Sequence, residues 1–144
     1  MKLIDGKEIA KQIKNELKAE LGEIIDRGDR APHLAAVLVG EDGASQTYVA
    51  SKEKACREIG FTSSVYRFPE NTSEKELLNT IDFLNNDEEV DGYIVQLPLP
   101  AHINVNTVLQ RINPDKDVDG FHPQNIGIAW YWVAAILLAL PWLY

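Results

Sequence analysis

Apolar residues Ile9, Ile13, Leu17, Leu21 and Ile24 or Ile25 recur every three or four positions, with Lys and Glu between them. That spacing predicts a helix over residues 7–27, stopped by Gly28. The run HLAAVLV, residues 33–39, is apolar without alternation and is bounded by Pro32 and Gly40. It reads as a strand buried on both faces. Residues 43–59 read as a second helix ended by Gly60, and residues 61–68 as a loosely alternating strand. Ser73 and Glu76 make a capping box ahead of a helical stripe of Leu77, Leu78, Ile81 and Leu84. GYIVQL, residues 92–97, is another apolar strand, ended by Pro98 and Pro100. A short helix over residues 103–112 and a polar loop over 113–120 follow.

Strands and helices alternate, which predicts an α/β fold: a three-layer αβα domain with a mostly parallel sheet. Ligands of open α/β sheets bind outside the carboxyl ends of the strands. The places to search are therefore just after Val39 and at the end of GYIVQL.

Composition narrows the function classes. The chain has 144 residues and a net charge of −8, with no basic run in the sequence. A nucleic-acid surface needs clustered cations to neutralise phosphates, so that partner is not expected. A small anionic ligand held by a few local donors remains compatible. The single cysteine, Cys56, cannot form an internal disulfide and falls inside a predicted helix, where a free cysteine is ordinarily a small buried residue. The N-terminus, MKLIDGKEIAKQ, has no apolar signal-peptide core, so the cytosol is the expected compartment.

Three segments carry candidate chemistry. In VGEDGASQTYVASK, residues 39–52, Tyr48 and Lys52 are four apart and share a helix face. A tyrosine ring can orient a flat heterocycle, and a lysine enclosed by apolar groups gives up its proton more readily and can work as an acid or base. The plain alternative is a solvated lysine beside a packed tyrosine. In DGYIVQLPLP, residues 91–100, Gln96 ends an apolar strand. It either serves a ligand and the lysine, or bonds loop backbone. In PDKDVDGFHPQNIG, residues 114–127, Asp115, Asp117 and Asp119 alternate. As an EF-hand loop this has Gly120 at position six but Ile126 where the bidentate Glu belongs. A loop-tip aspartate can instead accept two hydrogen bonds from an amino-substituted heterocycle. His33, His102 and His122 are scattered without metal-ligand spacing, and neither GxGxxG nor a phosphate loop ending in GK[ST] occurs.

Taken together, the three segments resemble the methylenetetrahydrofolate dehydrogenase/cyclohydrolase family in residues, order and spacing, over about residues 1–127. The resemblance implies one-carbon folate metabolism, including its supply of purine biosynthesis. The reactions are oxidation of methylene- to methenyl-tetrahydrofolate, usually with NADP, and hydrolysis of the product to formyl-tetrahydrofolate. It implies a cleft between a catalytic domain and a Rossmann domain, and a homodimer. By motif, Lys52 would be the acid/base of the hydrolysis. Tyr48 would stack on or orient the folate, and Gln96 would hydrogen-bond Lys52. Asp119 would bind the amino-pyrimidine edge of the pterin. Val95 and Leu97 would supply backbone and packing around the ring.

The charge pattern changes at the end. Residues 126–144 carry no charge and hold all three tryptophans. The expected organisation is thus a folate-binding catalytic domain over residues 1–125 and an uncharged apolar tail over 126–144, with the NADP-binding Rossmann domain missing. The tail reads as an aberrant end or as a membrane span. The span is the weaker reading, because no cation flanks it closely and Pro141 interrupts it. A non-catalytic, membrane-associated α/β binding module is the alternative function.

Overall fold

The computed structural model describes residues 5–126. The sequence from residue 127 onward, and with it both readings of the tail, lies outside them. The elements run α1 (Gly6–Asp26), β1 (His33–Val39), α2 (Gly43–Ile59), β2 (Thr62–Phe68), α3 (Glu74–Asn86), β3 (Gly92–Val95) and α4 (Val105–Arg111), followed by a 3-10 turn (Pro114–Lys116).

The three strands form one parallel sheet in the order β2-β1-β3. The β1–α2–β2 connection moves one way across the sheet, and β2–α3–β3 returns past β1 to its other side. Crossovers of one hand travelling in opposite directions place their helices on opposite faces. Strand parity shows this in the core. Ala35, Val37, Val39, Tyr93 and Val95 pack with Leu77, Ile81 and Leu84 of α3 and Val108 of α4. Ala36, Leu38 and Ile94 pack on the other face with Val49 of α2. The α2 layer also carries α1, whose Leu21 is buried. This is the three-layer α/β arrangement with a parallel sheet that the alternating pattern predicts.

Local chemistry sets the element ends. Asp5 caps α1 by accepting the N–H groups of Lys7 and Glu8, which starts the helix one residue earlier than its periodicity suggests. Gly60 ends α2 at φ 104°, a left-handed conformation that side chains resist. β3 is shorter than the expected span of residues 92–97. The Gln96 N–H still donates to Val37 O at 2.9 Å, but the ladder stops there. Pro98 and Pro100 have no N–H to continue it, and the Leu97–Pro98 peptide is cis. The loop expected over residues 113–120 holds the 3-10 turn, which Asn113 caps, and a parallel bridge from Asp117 to Tyr93. Cys56 is buried, as a packing residue should be, and burial pushes its thiol pKa up. Among the described residues, no helix is long and apolar enough to cross a membrane.

Candidate functional site

Lys52 lies nine residues into α2, about 13 Å along the axis from Gly43. Its backbone is therefore beside the sheet rather than at the strand ends. The lysine stem lines a small recess with Ala36, Val49, Cys56 and Ile94. Its ammonium meets Asp119 Oδ1 at 3.4 Å, with side-chain exposures of 38% and 27%. Lys52 is thus neither enclosed by apolar groups nor simply solvated; it is half-buried and paired. Tyr48, one helical turn earlier, is 63% exposed, so it is an open ring rather than a packed one.

Gln96 and Lys52 do not bond each other in this structure. The Gln96 amide donates to Leu97 O at 2.8 Å, which is the loop-backbone alternative for this residue. Its Oε1 is buried and accepts no hydrogen bond. Val95 and Leu97 part company. The Val95 side chain lies in the core with α3 and α4, on the sheet face opposite α2, which leaves only its backbone for any ligand on the Lys52 side. Leu97 is half-buried, and its carbonyl also accepts from Ser45 Oγ at 3.4 Å.

The alternating aspartates have separate jobs. Asp117 accepts the His122 N–H at 2.8 Å and the Asn125 amide at 2.9 Å, folding the loop back on itself. Asp119 turns to Lys52. These carboxylates face protein donors, and among the described residues no group of three or more His, Cys, Asp or Glu side chains is placed to hold a metal ion. The histidines stay apart: His33 bonds Ser64, His102 donates to Thr72 O, and His122 is buried.

Residues 4–119 match the sequence model described as "Tetrahydrofolate dehydrogenase/cyclohydrolase, catalytic domain". The chain belongs to this family. It is 55% identical over 127 residues to the bifunctional protein FolD of Christiangramia forsetii, covering 88% of this chain and 42% of that one. The bifunctional FolD methylenetetrahydrofolate dehydrogenase/cyclohydrolase of Campylobacter jejuni superposes with a TM-score of 0.84 at 50% identity, over 88% of this chain and 45% of that one. The Trypanosoma brucei methylenetetrahydrofolate dehydrogenase-cyclohydrolase, complexed with NADP cofactor and inhibitor, gives 0.84 at 37% identity, over 88% and 43%. The chain thus spans less than half the length of the family members it matches.

Membership in the tetrahydrofolate dehydrogenase/cyclohydrolase family gives a context to two residues that sequence reasoning passed over. Ser45 is 2% exposed and ties the start of α2 to the loop carrying Gln96. Asp117 shapes the loop carrying Asp119. Their signal in the sequence was weak: a serine in a helix-start motif, and one aspartate among three. The structure also tests the family's dinucleotide against these residues. A helix N-terminus after a strand is the natural place for a pyrophosphate. Here Asp42 caps α2, accepting the Ser45 N–H at 2.8 Å. That bond holds its carboxyl below the usual carboxylate range. An anion of the chain itself occupies that helix start, which therefore does not fit a pyrophosphate.

Proposed function

We propose that residues 1–125 form the folate-binding half of a methylenetetrahydrofolate dehydrogenase/cyclohydrolase, with Lys52 as its acid/base. The observation that carries this reading is the Lys52–Asp119 pair beside the open ring of Tyr48. A pterin whose amino-pyrimidine edge donates two hydrogen bonds to Asp119 would take that carboxylate away from Lys52. The free acceptor Gln96 Oε1 is then available to the lysine. In hydrolysis of the methenyl bridge, water attacks the bridging carbon and loses a proton to the Lys52 amine. The carbon–nitrogen bond then breaks as the new hydroxyl gives its proton to solvent and becomes the formyl carbonyl, and the Lys52 ammonium returns its proton to the departing nitrogen. Tyr48 holds the flat ring system in place. Leu97 packs beside it, and Val95 contributes backbone.

The oxidation step, with NADP as acceptor, is proposed for the whole protein and not for this chain's residues. A polypeptide of these 144 residues alone should reduce no NADP when given methylenetetrahydrofolate. The whole protein would act as a cytosolic homodimer in one-carbon metabolism.

The test is calorimetric titration of the chain with 5-formyltetrahydrofolate. Asp119→Ala should weaken binding by about tenfold or more, as expected for lost charge-assisted hydrogen bonds. Lys52→Met should retain binding, because the ligand no longer competes with an ion pair, while any hydrolysis of methenyltetrahydrofolate disappears. Equal affinity of the unaltered chain and Asp119→Ala would refute the placement of the pterin.

A further inference from the structure

We infer that a groove between α1 and the end of α2 binds an extended chain of carboxylates, the chemistry of an acidic peptide. The groove measures about 590 Å³ and is lined by Lys7, Lys11, Lys14, Lys18 and Glu58, with Ala10 and Asn15 between the lysines. At helical spacing the four lysines fall within about 60° of arc. They form a row about 16 Å long on a chain whose net charge is −8.

The arrangement runs against helix stability. Lys7–Lys11 and Lys14–Lys18 are like charges at i,i+4, and Lys11–Lys14 at i,i+3. Such neighbours repel. Of the four, only Lys11 has an acidic residue three or four positions away on α1, which is Glu8. Yet α1 has further acids available in Glu16, Glu20 and Glu23, all placed on its other side. Glu58 is the one carboxylate in the groove, and Lys14 holds it at 2.7 Å. Lys14, Lys54 and Lys18 together keep its carboxyl below the usual range. Among the described residues, Lys7, Lys11 and Lys18 make no ion pair. Glu58 shows how the groove receives a carboxylate, and the three remaining ammonium groups provide for more. Along the axis Lys7 and Lys11 stand about 6 Å apart, close to the repeat of about 6.6 Å between same-side residues of an extended backbone, and Lys18 lies about 10.5 Å further on, within reach of the same extended chain.

The probe is a labelled oligoglutamate peptide of about six residues, long enough to span the row. Binding is read by fluorescence anisotropy at low ionic strength and again at about 0.15 M salt, where exposed charges are screened. The unaltered chain should bind it, more weakly in salt, and should not bind the matching oligoglutamine. The pair Lys11→Glu/Lys18→Glu should lose about tenfold or more in affinity, from two reversed contacts. Lys11→Arg/Lys18→Arg should keep it. The control pair Arg67→Glu/Lys75→Glu changes net charge equally on exposed residues elsewhere and should stay within about twofold. Lys52→Met, outside the groove, should bind the peptide as the unaltered chain does. Equal losses in the two charge-reversed pairs, or no preference over oligoglutamine, would overturn the inference.

Discussion

Gly92 opens β3, and replacing it with alanine tests how the loop carrying Asp119 is seated. A Cβ there would stand 2.5 Å from Val118 Cγ2 and 3.5 Å from Lys116 O. Carbon atoms pack best at about 3.5–4.0 Å, so the valine methyl must retreat by about 1 Å. Valine is stiff at χ1, and an off-rotamer turn costs about 0.5–1.5 kcal/mol. With the overpacking of neighbouring atoms, Gly92→Ala should cost about 1–2 kcal/mol. Gly92 is not among the glycines with positive φ, so alanine brings no left-handed strain. Once Val118 is cut back to alanine, the same change should be neutral or stabilising by about 0.4–1 kcal/mol, because it removes freedom from the unfolded chain. The Gly92→Ala cost should therefore vanish or change sign in the Val118→Ala background. Urea unfolding of the four variants in a double-mutant cycle measures this. Val118 adjoins Asp119, so Gly92→Ala alone should also weaken 5-formyltetrahydrofolate binding, and the double variant should recover part of it. A Gly92→Ala cost that is equal in both backgrounds would refute the steric argument.

Gly60→Ala should destabilise by about 1–2 kcal/mol. Its φ of +104° disfavours a side chain, and the new Cβ would stand 2.9 Å from Leu21 Cδ2; thermal melts followed by circular dichroism would report it. Tyr93→Phe should cost about 1 kcal/mol in urea unfolding, since the buried hydroxyl donates to Asn85 Oδ1 at 2.7 Å while that oxygen keeps the Asn113 N–H at 2.8 Å. Asp91 accepts hydrogen bonds from Arg30 and from the His33 N–H, and the guanidinium foremost holds its carboxyl below the usual range. Because the folded value lies below the unfolded one, the contribution is present above about pH 4 and fades as pH falls through the folded value. Asp91→Asn should thus lose about 1 kcal/mol near pH 7. Its urea midpoint should converge on that of the unaltered chain near pH 2, and a difference that persists there would count against the linkage.

The pairing of Lys52 with Asp119 gives the unliganded site a definite state. Neither side chain is left as a lone half-buried charge, which would be costly. On the proposed reading, a ligand would have to offer Asp119 better donors than one ammonium at 3.4 Å. A planar edge with two N–H groups does so, whereas a neutral apolar molecule does not. If Asp119 receives the pterin as proposed, the site would select for hydrogen-bond donors before any reaction begins.

The helices and strands, their order and the layered parallel architecture were legible in the sequence, though β3 ends two residues short of its apolar run. Each depends on local periodicity or on a nearby cap: the four-residue stripe of α3 behind Ser73, or the apolar run HLAAVLV between Pro32 and Gly40. Long contiguous motifs also marked the family. What tertiary structure alone decided was where neighbouring residues point. Val95 and Ile94 are adjacent letters in one apolar run, yet the pleat sends one to α3 and the other to α2. Asp117 and Asp119 look equivalent in an alternating pattern. The turn of the loop gives the first to the His122 N–H and the second to a lysine 67 residues earlier. Gln96 could read as a partner of Lys52 because both sit in family motifs, but a proline-ended strand turns its amide back to Leu97 O. Element type follows from short-range spacing, whereas these choices depend on contacts between segments far apart in the chain, which only packing brings together.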